Sequence, residues 1–138
     1  MQLQLSTVEY REVEGLRMGV FDDGTPFLSA RALAKVVGVA PSVIINLGNN
    51  HNPSSGSGRD AAIQRLLQQA GHDSTRVLFV KTRFQGREVN AFPDYVCMAV
   101  LEYYAFEARN RDENEQALRS YRLFARAGIR AFIYAALG

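Results

Sequence analysis

The chain of 138 residues has one cysteine, no tryptophan, two histidines and, among sixteen cationic side chains, only two lysines. One cysteine rules out an internal disulfide and any zinc site built from several cysteines. His51 and His72 lack both the i, i+4 spacing and the acidic neighbours that a metal site needs, so no metal and no cofactor is expected. No apolar run is long enough to cross a bilayer, and no segment reads as a signal peptide, so the chain is expected to be cytoplasmic and free of membrane. Charge of either sign is scarce in net terms. A balance of +2 and an isoelectric point near 8.9 lie below the level at which charge alone argues for nucleic acid.

What is present fits one small domain. A hydrophobic content of 47%, with six tyrosines and eight phenylalanines, is ample for a single packed core spanning residues 1–138. The chain ends on Phe132, Ile133, Ala136 and Leu137 with no polar cap, which suggests the amino-terminal part of a longer protein. Nearly all the positive charge is arginine, whose planar fork suits phosphate and guanine edges. A GC-rich genome would produce the same bias.

The stretch Ala30 to Asn49 carries the most information. Leu33 and Val37 lie four apart on one face of a first helix, and the small Ala34 allows a second helix to cross closely. Gly38 supplies the turn and Val39 plugs the corner. Pro41 and Ser42 open a second helix with Ile44 and Leu47 on its inward face. This is the order of a helix-turn-helix, and Ser29 caps its first helix. Before it, Val8 to Leu28 reads as short strands, with Asp23-Gly24 as a hairpin turn. After it come a turn-rich loop over 48–58 and a helix from about Asp60 to Ala70. Residues 76–92 then read as a hairpin around Gln85-Gly86, and a long apolar helix runs from Asp94 to Arg109. The segment Asn110 to Asn114 breaks it. Further helices run over Glu115 to Ala127 and Ile129 to Leu137, bent at Gly128. The expected class is α+β: a helix-turn-helix core with short hairpins and a helical tail.

Catalytic constellations are missing from this pattern. Asn50-His51-Asn52 is similar to the HNH nucleases only over three letters in an asparagine-rich loop. Ser54, Ser55 and Ser57 alternate with glycines but lack the Gly-Lys-Ser/Thr ending of a phosphate loop. Cys97 sits among apolar residues, where a thiol stays protonated and inert. No nucleophile, base and oxyanion donor come together, and no enzyme is expected.

The residues point instead to double-stranded DNA. With Ile44 and Leu47 inward, Ser42, Ile45, Asn46 and Asn49 face outward. Asparagine can bond adenine twice, serine can reach bases or phosphates, and isoleucine can touch a thymine methyl. The helix has no cation, so guanine reading from it is not expected. Phosphate anchoring falls to Arg31 and Lys35 on the first helix, with Arg59 and Arg65 after the loop. The hairpin tip, with Arg83 and Arg87, has the shape and charge of a wing. Arg119, Arg122, Arg126 and Arg130 recur at steps of three and four and would form one cationic stripe across a slight bend. That stripe and the apolar tail Phe132 to Leu137 could seat a protein partner or a second copy as a homodimer. Solvated surface is the plain alternative for each charged group. A protein-interaction module that sequesters a repressor without touching DNA is the alternative for the whole.

The order of elements resembles the amino-terminal DNA-binding domains of phage antirepressors, the BRO-N and KilA-N group. The stretch GREVNAFPDYVCMAVLEYYAFEA from Gly86 resembles that group's strand followed by a helix opening at an acidic residue. Ala117-Leu118-Arg119-Ser120-Tyr121-Arg122 with Phe124 and Ile129-Arg130 is similar to its closing segment. Two features depart from the group: Pro93-Asp94-Tyr95-Val96 stands where an acidic-glycine-leucine-tyrosine cluster is usual, and the closing tryptophan is absent. The resemblance implies a regulator of phage or prophage genes, an antirepressor or a phage-defence protein in a bacterial cell.

Overall fold

The computed structural model of the chain describes residues 7–52, 58–72, 77–108 and 111–138, excluding the side chains at 111–114, 126 and 127. Five strands form one antiparallel sheet: β1 (Thr7–Val13), β2 (Leu16–Phe21), β3 (Pro26–Ser29), β4 (Val80–Phe84) and β5 (Arg87–Pro93), in the spatial order β1-β2-β3-β5-β4. The helices are α1 (Ala30–Val37), α2 (Pro41–Asn49), α3 (Gly58–Gln69), α4 (Asp94–Glu102), α5 (Arg111–Ala127) and α6 (Ile129–Leu137), with a π-helical turn over Tyr103–Glu107 after α4. The fold is α+β, as the pattern of the sequence predicts.

Side chains alternate across a strand, so each strand serves two cores. Met18, Leu28 and Phe92 face the helices and join Leu33, Val37, Ile44, Leu47, Val96, Val100 and Ile133 in the main core. On the opposite face Phe21, Phe27, Val89 and Ala91 form a second cluster, with Tyr10 and Val80 packed on it. That face is concave. The sheet curls until its outer strands meet, and the hydroxyls of Thr7 and Thr82 share a hydrogen bond of 2.8 Å.

Local signals set most of the elements. The Ser29 hydroxyl accepts from Ala32 N–H at 3.1 Å and starts α1. The Asp23-Gly24 turn joins β2 to β3, and Gln85-Gly86 joins β4 to β5. Helix α4 is the central buried helix, and burial pushes the Cys97 thiol far above its ordinary value while its Sγ lies 3.2 Å from the Phe92 carbonyl oxygen.

Several expectations need correction. The helix from Asp94 does not run regularly to Arg109. After Glu102 it widens by a residue per turn, closed by Ala108 N–H to Tyr103 O at 2.9 Å. The widening keeps Tyr104 and Ala105 buried and turns Phe106 outward, edge-on to Tyr121 at 4.9 Å between ring centres. Helix α3 starts at Gly58, and α5 already contains 111–114, so the polar run Asn110 to Asn114 is not a break at those four residues; residues 109–110 lie outside the described set, as do 53–57 with the serines Ser54, Ser55 and Ser57. The apolar tail is not a bare surface. Ile129, Ile133 and Leu137 of α6 are buried, and Arg11 donates to the carbonyls of Leu137 and, at 3.4 Å, Ala136 at the helix end.

Candidate nucleic-acid interface

The helix-turn-helix is built as its residues dictate. The chain turns through 120° between α1 and α2, within the range usual for such a corner. Gly38 makes the turn with φ of 91°, a left-handed conformation that suits glycine, and its N–H bonds Ala34 O at 2.8 Å. Its missing side chain matters twice, because the Gln116 side chain of α5 fills the place where a Cβ would sit. Ser120, also on α5, donates from its hydroxyl to the Val36 carbonyl at 2.6 Å. Thus α5 buttresses the corner from behind, a role that sequence reasoning missed because it joins residues 84 positions apart.

Helix α2 shows two contrasting faces. Ile44 and Leu47 are fully buried, and Gly48 lets the backbone settle on the rings of Phe79 and Phe92. At about 100° per residue, Ile45, Asn49, Ser42 and Asn46 fall in one arc opposite that seat. All four are exposed, Ile45 to 40%. Among the described residues, the side chains of Ser42, Asn46 and Asn49 have no hydrogen-bond partner. Helix α2 carries no cation.

The cations predicted to frame this helix divide into three groups. Arg31 and Lys35 are both exposed on α1, with the Lys35 ammonium over Gly15 at the β1–β2 turn. Arg87 faces a cleft of about 540 Å³ between the start of α1, Ile45 of α2 and the mouth of the curled sheet, together with Arg31, Tyr10 and Arg17. Arg83 is exposed as well but does not line that cleft. Arg83 stands opposite Glu88 and Phe84 opposite Arg87, so the two arginines project from opposite faces of the hairpin. The wing therefore does not present both cations together. Arg59 is half-buried at the first turn of α3, 3.9 Å from Asp60, and does not join the cleft. Arg65 pairs with Glu107 of the π-helical turn, which engages it within the fold.

The C-terminal arginine row is not a stripe. Gly128 breaks the helix, and Arg130 turns to Asp94 at the start of α4, Nε to Oδ2 2.9 Å. The Asp94 carboxylate is the main reason that the Arg130 guanidinium is raised above its ordinary value. Arg119 and Arg122 remain exposed on α5, while the Arg126 side chain lies outside the described residues.

His51 also departs from expectation. Its side chain is 1% exposed, and Nδ1 lies 3.4 Å from Asp60 Oδ1, so it has an acidic neighbour after all. Among the described residues neither ring nitrogen has a hydrogen-bond partner, and the other Asp60 oxygen accepts from Asn52 N–H at 2.9 Å. The partner was invisible in sequence because it lies across the turn-rich loop. Among the described residues no three His, Cys, Asp or Glu side chains gather as a metal site would require. His72 stacks on Tyr95 at 4.2 Å, and Tyr95 titrates higher than an ordinary tyrosine, first through burial and then through nearby Asp94. Among the described residues no single helix is long and apolar enough to cross a membrane.

No family model, curated protein or solved structure matches this chain.

Proposed function

We propose that the chain is a sequence-specific DNA-binding domain of a phage or prophage regulator, an antirepressor or a phage-defence protein, with α2 lying in the major groove. One observation carries the reading: Ser42, Ile45, Asn46 and Asn49 share an exposed arc of α2 while Ile44 and Leu47 anchor its other side. A polar arc on a helix held at a helix-turn-helix corner is what reading of base edges needs. Arg31, Lys35 and Arg87 supply phosphate anchoring beside it, so affinity rests on the frame and selectivity on the helix. The absence of a cation from α2 favours sites rich in A·T pairs. The resemblance of the element order to that of the BRO-N and KilA-N group supports the same assignment.

Selection of bound duplexes from a random pool tests the reading. An enriched A·T-containing motif is the expected result, and enrichment of no sequence would refute it. Asn46→Ala should then weaken the selected site by about 1 to 3 kcal/mol and relax preference at one position. Equal binding by the variant would remove Asn46 from the reading set.

A second reading, a module that binds a protein partner such as a repressor, has one observation in its favour. Phe106 on the π-helical turn is 56% exposed and packs edge-on against Tyr121, and Leu123 on α5 is 58% exposed. Failure to bind random duplex at low salt, together with capture of a purified repressor, would favour it.

A further inference from the structure

We propose that the mouth of the curled sheet grips the sugar-phosphate backbone of the same duplex through Arg17 and Arg87, with Arg83 taking no part; this rests on the DNA-binding reading. The cleft of about 540 Å³ beside Ile45 does not end at the hairpin. A second depression, of about 350 Å³, continues it across the sheet mouth, and the two share Tyr10, Glu12, Arg17 and Arg87. The channel thus starts at the exposed arc of α2 and leads away between two arginines from strands β2 and β5.

Its chemistry fits an anion. Arg31 joins Arg17 and Arg87 on the wall, and the first turn of α1, Ser29 to Arg31, lies there with the positive end of its helix dipole. Guanidinium forks bond phosphate oxygens in pairs. Arg17 and Arg87 are both exposed, and among the described residues Arg17 pairs with Glu12, whose Oε1 lies 4.0 Å from its Nε. A pair so long and so exposed holds the arginine weakly and leaves it available to a phosphate. Glu88 also borders the cleft and, with Glu12, keeps its field moderate. Arg17 has no counterpart among the expected contacts, because nothing in a strand residue before the helix-turn-helix announces that a curling sheet will carry it to the wing.

The test uses the 138-residue chain and a fluorescent duplex carrying its selected site, titrated at several salt concentrations. Arg17→Ala and Arg87→Ala should each weaken binding and lower the slope of log K against log salt by about 0.9. Arg83→Ala should leave both affinity and slope unchanged. Glu12→Gln should strengthen binding, a gain that misfolding cannot imitate. Parental slopes in Arg17→Ala and Arg87→Ala, or a loss in Arg83→Ala equal to that in Arg87→Ala, would overturn the channel while leaving DNA binding by α2 intact. A parent chain that binds no duplex at any salt would overturn both.

Discussion

Helices α2 and α6 have nine residues each, both start without a side-chain cap, and both seat apolar residues in the main core. Their polar groups differ in destination. On α6, Arg130 bonds Asp94, Tyr134 donates to the Gly24 carbonyl, and Arg11 closes the last carbonyls. On α2, Ser42, Asn46 and Asn49 point away from the fold with no partner among the described residues. Two helices of equal length, both seated in the same core, therefore do different work. Helix α6 spends its polarity inside the molecule, latching the tail to the β2–β3 turn and to α4, whereas α2 keeps its polarity for something outside.

The sharpest way to break this comparison is to attack what the two helices share. Leu47→Ala and Ile133→Ala each empty a fully buried site and should each cost about 2 to 5 kcal/mol in urea unfolding. A cost below about 1 kcal/mol for Leu47→Ala would mean that α2 is not seated as described. Gly38→Ala comes next, because it forces a left-handed turn and pushes on Gln116. It should lose about 1 to 3 kcal/mol and should weaken DNA binding as well, since it disturbs the angle at which α2 is held.

Titration probes the shared core. Because the folded Cys97 thiol is held above its ordinary value of about 9, the unfolded chain loses that proton first as pH rises. Stability should be unaffected by this group below pH 9 and should fall above it, by about 1.4 kcal/mol per pH unit, until the buried thiol itself ionises. Tyr95 should add to the fall above pH 10. Cys97→Ala should remove the first part of that slope, as pH-resolved melting would show. The smallest effects separate the outward faces. Tyr134→Phe should cost about 0.5 to 1.5 kcal/mol of stability by leaving the Gly24 carbonyl without its donor. Asn46→Ala and Asn49→Ala should stay within about 0.5 kcal/mol. If those asparagines matter to stability as much as Tyr134, the distinction between the two helices fails.

How much of this was legible in the sequence depended on the range of each interaction. The Ser29 cap, the Asp23-Gly24 turn, the Gly38 corner and the inward pair Ile44 and Leu47 all depend on neighbours within a few residues, and each reads directly from the chain. The curl of the sheet, the Ser120 bond to Val36 and the Arg130 bond to Asp94 join distant segments, and no local pattern encodes them. The candidate interface divides along the same line. The arc on α2 follows from helical periodicity, but the cleft that Arg87 lines and Arg83 does not is assembled from distant strands. The arginine row read as a stripe because its spacing is helical, and a single left-handed residue at Gly128 was enough to send Arg130 elsewhere. The π-helical turn has no compositional signature at all.

The curl of the sheet also bears on self-association. An open sheet offers two unpaired edges to any passing strand, a common route to aggregation and to dimers joined backbone to backbone. Here the edges belong to β1 and β4, and the curl brings them against each other at Thr7 and Thr82. Each partly screens the other from a third strand. Extension of the sheet by a further strand is thereby disfavoured where the two edges meet.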